Sequence, residues 1–300
     1  MTQLIEVKEA LQQFYTKNEY WVTPLLKALT GFLCFFMIHL QLPSGTMFGS
    51  LLIVIAAAAL CSFLPWTAIT VFSGLFVLGN AYGLSMGLCL LSAFVILLLA
   101  LVQSAFRAGH GILIALIPLF FYLHIPYVIP AIAGLSLGLM SIVPVSIGVM
   151  AYYLIQYAAS EISVLSSTED LSAMLSAYVS LFEGYFQNAA MLISIMAFAV
   201  CILLVFILHQ LDFSYNWSVA LFIGLGSVLL VSAAGAARMG VAFSLGSTLV
   251  SLFLSLVISF LYALAFHGAD YRGTERLRFE DDDYFYDVKA VPKLKARNEE

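Results

Sequence analysis

Charge is what this chain of 300 residues has least of. Charged residues make up 10% of it, against about 25% in an ordinary soluble domain. From Ala28 to Gly268 there are seven: Arg107, Glu161, Glu169, Asp170, Glu183, Asp212 and Arg238. So long a segment with so few charges cannot offer water a solvated surface, and a soluble globular domain is excluded. Motifs that carry chemistry are missing too. No glycine-lysine pair occurs, which excludes a phosphate-binding loop and a self-contained ATPase. HExxH, GxSxG and Cys/His clusters at metal spacing are absent, so no catalytic residue, metal or cofactor is expected and the chain does not read as an enzyme. Basic residues beyond the scattered tail lysines form no patch, so nucleic acid is not an expected partner. Cys34, Cys61, Cys89 and Cys201 lie inside apolar runs without a CxxC pair, and they read as small packing residues.

What fills the space is hydrocarbon. The chain is 63% hydrophobic with a mean hydropathy of +1.03. The expected fold is an all-α polytopic membrane protein with about 8–10 transmembrane segments, and its first partner is the lipid bilayer. Residues 1–20 place Leu4, Val7, Leu11 and Phe14 on one helical face, an amphipathic helix at the membrane surface or against the protein body. Tyr20 and Trp21 then mark an interface. The membrane domain runs over 21–267, with spans expected near 22–40, 47–64, 66–83, 86–106, 188–210, 217–237 and 241–266. The first apolar run has no small-residue cleavage site and is expected to stay as a span. Glycines at four-residue spacing, Gly79, Gly83 and Gly87, then Gly134 and Gly138, suit close helix contact or arise by chance in a glycine-rich chain.

Between Arg107 and Tyr157 the pattern changes. The stretch is apolar yet holds Pro118, Pro126, Pro130 and Pro144, and each proline in a helix interior costs a backbone hydrogen bond. Its 48 residues from His110 to Tyr157 would make roughly 72 Å of helix against a core of about 30 Å. Half-spans, a re-entrant pair or a thinned bilayer are the available solutions. Lys8, Lys17 and Lys27 toward the start of the chain and seven basic residues after His267 put both termini in the cytoplasm. The acidic loop after Tyr157 is then expected outside, with an amphipathic helix over 166–187, provided 110–157 makes an odd net number of crossings. Three short segments, or one span with a re-entrant pair, satisfy that condition.

Polar groups at membrane depth are the remaining functional suspects. Arg107 and His110 stand one turn apart at the mouth of the broken region, and His124 lies between Pro118 and Pro126. Against a functional role, Arg107 can snorkel to an interface and His124 can cap a helix end. With Asn80 and Gln156 these residues form the candidate substrate path, and Gln103 and His209 are further polar positions.

The tail, 268–300, is a different material. An acidic run, Glu280 to Asp283, separates two segments, about 276–280 and 284–291, that can pair as a hairpin. Tyr284, Phe285 and Tyr286 suit either docking onto a partner protein or folding back on the cytoplasmic face. FEDDDYFYDVKAVPK, together with FFYLHIPYVIP and SIVPVSIGVMAYYL, resembles a family of uncharacterised multi-pass membrane proteins from clostridial-type bacteria. The resemblance covers most of the chain. It implies a bacterial inner membrane and carries over no catalytic or binding residue. Two readings of function follow: a permease-like transport component with its path near 107–157, or a scaffold that binds other proteins through its tail. Substrate and oligomeric state are not legible.

Overall fold

The computed structural model describes residues 2–42, 49–104, 111–160, 171–211, 215–267, 275–280 and 284–290. The protein is an all-α polytopic membrane protein. Among the described residues, seven helices are long and apolar enough to cross a bilayer: Gln13–Gln41, Thr67–Leu84, Met86–Ser104, Leu139–Ser160, Val179–His209, Asn216–Met239 and Leu245–Phe266.

Helix α1 (Thr2–Gln41) joins the amphipathic segment to the first span through a kink at Asn18, whose φ of −117° and ψ of 19° leave the helical region. There the Asn18 amide donates to the Phe14 carbonyl, competing with the helix ladder as asparagine does. Tyr20 and Trp21, 82% and 76% exposed, follow the kink as the sequence expects of a belt at the headgroups.

The expected span at 47–64 is corrected: α2 is Leu51–Cys61, 11 residues, or roughly 16 Å. The chain turns at Ser62–Leu64 because the residue before Pro65 is pushed out of the helical region. Lys27 anchors that turn by donating to the Leu64 carbonyl at 3.0 Å, with its ammonium 5.9 Å from the Trp66 ring. Ser62 donates to the Pro24 carbonyl at 3.1 Å, so α2 ends level with the start of the first span. That level defines the proximal face, and the opposite one is distal.

Helix α3 (Thr67–Leu84) climbs beside α1, with Phe35 and Phe76 stacked at 4.9 Å, and α4 (Met86–Ser104) returns. Thr70 then donates to the Gly111 carbonyl at 2.8 Å, which fixes the start of α5 (Ile112–Tyr122) at the proximal face. Only 11 residues long, α5 climbs roughly 16 Å and stops at mid-depth. Helix α6 (Val128–Ser136) descends beside α9 (Ala189–His209): Tyr127 meets Phe198, and Gly134 lies against Ile202 and Val205. The two short helices are a re-entrant pair. A one-turn 3₁₀ helix, Leu139–Ser141, then leads into α7 (Ile142–Ser160), a full span parallel to α5. Gly148 packs on Ile114 and Ile117, and Tyr152 stacks on Phe121 at 4.2 Å. Net, the region crosses once, one of the two solutions the residue count allows.

Two of the four prolines open helices rather than break them. Pro130 and Pro144 are third residues of α6 and α7, where the backbone N–H has no helical partner to lose. Gly138, with a φ of +76°, ends α6 in a turn, a different job from the helix contact made by Gly134.

Helix α8 (Leu171–Phe186) turns its last residues onto the distal halves of α7 and α4. Leu181 and Tyr185 are buried, the Tyr185 hydroxyl donates to the Met150 carbonyl at 2.9 Å, and Phe182 meets Phe94 edge-on. Helices α10 (Asn216–Met239) and α11 (Leu245–His267) complete the bundle. Gly224 and Gly235 seat α10 against α9, and Tyr262 of α11 reaches Ser136 at 2.8 Å. By this path α11 ends at the face where the first span begins. The tail holds one antiparallel hairpin, β1 (Glu275–Glu280) with β2 (Phe285–Ala290), in the register Glu275 to Ala290 through Glu280 to Phe285.

Candidate functional site

The re-entrant pair leaves room beside it. A cavity of about 530 Å³ lies between α1, α3, α4, α5 and α7. Its wall is built mainly of aliphatic side chains, among them Met37, Leu78, Leu99, Ile114 and Ile155. One face of α4 supplies Ile96, Leu99, Ala100 and Gln103, the i, i+3, i+4, i+7 pattern of a single helical stripe. Val71 and Leu75 line it while being 62% and 48% exposed. The cavity therefore opens sideways at α3, toward lipid.

Its polar groups gather at the proximal end: Thr67, Thr70, Gln103 and Ser104, beside Gly111. Several polar groups of the wall are already engaged. Thr70 donates to Gly111, Ser104 to the Leu101 carbonyl, Ser73 to Ile69, and the Cys34 thiol to Ala115. Gln103 differs, because its side-chain nitrogen and oxygen are both buried with no hydrogen-bond partner among the described residues. A buried amide left unpaired costs about 1–3 kcal/mol, which makes Gln103 the least satisfied group in the wall. No charged side chain lines the cavity among the described residues, nor do three or more His, Cys, Asp or Glu gather there as a metal site would require.

Among the described residues, the expected path residues are not brought together. Arg107 and His110 lie outside the described residues. Asn80 is fully buried on α3, donates to the Phe76 carbonyl at 2.8 Å, and does not line the cavity. Gln156 is exposed on α7 and donates to the Tyr152 hydroxyl at 3.1 Å. His124 sits at the apex of the re-entrant pair with a φ of +60°. Its N–H bonds to the Phe121 carbonyl, and that of Ile125 reaches back to Phe120, both at 3.0 Å. These two bonds are the pattern of a helix closed by a left-handed residue, a position usually given to glycine. His124 thus ends α5 and satisfies the backbone at mid-depth, where no water is at hand to do so. In the tail, Tyr284, Phe285 and Tyr286 are 67%, 89% and 38% exposed on the hairpin.

Gln103 was visible in the sequence as a polar residue at membrane depth, but nothing there separated it from Asn80 or Gln156. The signal that could have done so is its stripe. Gln103 continues the face of Ile96 and Leu99, whereas Gln156 shares α7 with buried neighbours yet points away from them.

No protein-family model matches the chain, and no match is found among curated proteins or solved structures.

Proposed function

We propose that the protein is a permease-like transport component of a bacterial inner membrane, with its substrate path along the cavity beside α5 and α7. The observation that carries this reading is the re-entrant pair. A helix hairpin that stops at mid-depth leaves half of the bilayer unfilled by its own residues, and broken helices beside a cavity are how transporters present a site at membrane depth. A bundle with only a structural task gains nothing from an unfilled volume of about 530 Å³, which forfeits packing contacts. The proximal face is cytoplasmic in this reading, since Lys8, Lys17, Lys27 and the basic tail flank it. A cysteine replacing Ser180 is expected to react with an impermeant thiol reagent in intact cells, and labelling only after lysis would reverse the orientation.

The test of transport is to plug the path. Gly74→Phe and Ala151→Trp each add bulk into the cavity, while Ile258→Trp adds it on the exposed face of α11. In cells lacking the gene, the wild type and Ile258→Trp should restore the normal distribution of metabolites and lipids, and the two plugged variants should not, at equal membrane levels. Full complementation by both plugged variants overturns the reading. A second reading, a scaffold without transport, rests on the exposed aromatics of the hairpin, which offer an edge and side-chain anchors to a partner strand. It predicts that deleting 275–300 removes co-purifying proteins and leaves membrane insertion intact.

A further inference from the structure

We infer that the cavity takes one hydrocarbon chain of a membrane lipid whose head is an uncharged hydroxyl group, the class of diacylglycerols and long-chain alcohols, and that Gln103 reads that head. This rests on the transport reading of the same cavity and names its substrate class.

Three features converge on it. The wall is aliphatic over its length, so an ion or a sugar would shed its water and recover few hydrogen bonds. A hydrocarbon chain loses nothing there. The opening lies at α3, where Val71 and Leu75 are exposed on a helix long and apolar enough to span, so a ligand reaches the cavity from the bilayer without passing through water. Finally, the polar end is neutral among the described residues, and its one side chain with buried, unpaired polar atoms is Gln103. The Thr70, Ser73 and Ser104 hydroxyls are committed to carbonyls, and the Gln103 amide is not.

The amide itself discriminates between heads. It offers donors on Nε2 and an acceptor on Oε1. A hydroxyl both accepts and donates, so it can satisfy either atom. A phosphodiester head without a hydroxyl or an N–H, or an ionised carboxylate, accepts only, and would leave Oε1 buried and unpaired. The terminal torsion of glutamine is broad, so the amide can turn toward a head at the proximal end without leaving a rotamer well. The polar end lies level with Thr67, and the lining follows α3 to Leu78, 11 residues further, or roughly 16 Å of depth for the chain.

The experiment uses the full chain in lipid nanodiscs. A diacylglycerol with a photoactivatable group in its acyl chain is compared with a phosphatidylcholine of identical chains, whose head has no hydroxyl, and cross-linked peptides are identified by mass spectrometry. The diacylglycerol probe should label α3, α4, α5 and α7 and be displaced by unlabelled diacylglycerol. Gln103→Leu, which keeps the apolar volume, should weaken that binding by about fivefold to tenfold, the loss of one hydrogen bond. Gly74→Phe should abolish it by occupying the chain's place. The inference is overturned if Gln103→Leu binds as tightly as the wild type, if phosphatidylcholine labels the wall as strongly, or if labelling spreads evenly over the exposed face of α11. Labelling of the wild-type wall together with full complementation by the plugged variants would sink transport alone, and no labelling of the wild-type wall together with failed complementation by those variants would sink the lipid alone.

Discussion

The contact between α9 and α10 and the wall between α3, α4 and α5 draw on the same apolar residues and end in opposite states. In the first, glycine meets a branched side chain at each crossing: Gly224 against Val205 and Cys201, Gly235 against Ile193 with only 2.8 Å left for a Cβ. Backbones close to that distance leave no space between them. In the second, Gly74 has one neighbour, the Ile96 methyl, 3.5 Å from where its Cβ would lie, and a cavity of about 530 Å³ stands open. Glycine content does not separate the two regions; what faces each glycine does. Small residues close a membrane interface where a branched side chain reaches into the notch opposite them, as Val205 and Ile193 do, and leave it open where only one methyl comes near, as at Gly74.

The largest effect should come from the closed contact. Gly224→Leu has no room against Val205, and overpacking there should cost about 3 kcal/mol, with folded protein lost from membranes in fluorescence-detected chromatography. Gly226→Leu, two residues away and exposed with nothing within 4 Å of its Cβ, should leave the yield unchanged. Equal losses would mean that glycine matters here through the helix backbone and not through the contact.

An intermediate effect is expected where the two regions meet. Gly134 holds the re-entrant pair to α9, its Cβ position 2.8 Å from Val205 and 3.1 Å from the Ile202 carbonyl. Gly134→Leu should cost about 2 kcal/mol and raise hydrogen exchange in α5 and α6 while α10 and α11 keep their protection. Uniform loss of protection would show a single cooperative body with no separable hairpin.

The smallest effect has the opposite sign. In detergent without added lipid, Gln103→Leu removes a buried, unpaired amide and should stabilise the protein by about 1 kcal/mol, about 2–4 °C in a thermal-shift assay. A lower midpoint would mean that the amide has a partner in the resting protein.

Much of this architecture can be read from residues alone, because lipid leaves a chain few choices. Spans at 66–83, 86–106, 188–210, 217–237 and 241–266 are long apolar runs, and α3, α4, α9, α10 and α11 occupy them within a few residues. The odd crossing count of 110–157 came from lysine and arginine placement, and the re-entrant pair with α7 supplies it. The tail hairpin follows from a turn of aspartates between β-prone segments. The length of α2 was misread because an apolar run of 18 residues looks like a full-length span whatever stops it. Lys27 and Pro24, far away in sequence, hold its end.

The candidate site was far less legible. His124 was suspected for its ionisable ring, and its backbone turns out to carry the role, since a left-handed φ is invisible to composition. Asn80 and Gln156 are as polar as Gln103, and each has a partner on its own helix one turn away.

The sequence by itself determined that the backbone must close its hydrogen bonds in helices, that some of those helices must stop at prolines, and which end groups face water. Each of these follows from the cost of an unpaired polar group in hydrocarbon, a property local to the chain. Only the tertiary structure decided which glycine meets a branched side chain, where a volume stays empty, and which amide is left beside it. Those outcomes depend on the rotation and depth of one helix against another, and a shift of one residue along either would exchange the closed contact for the open one.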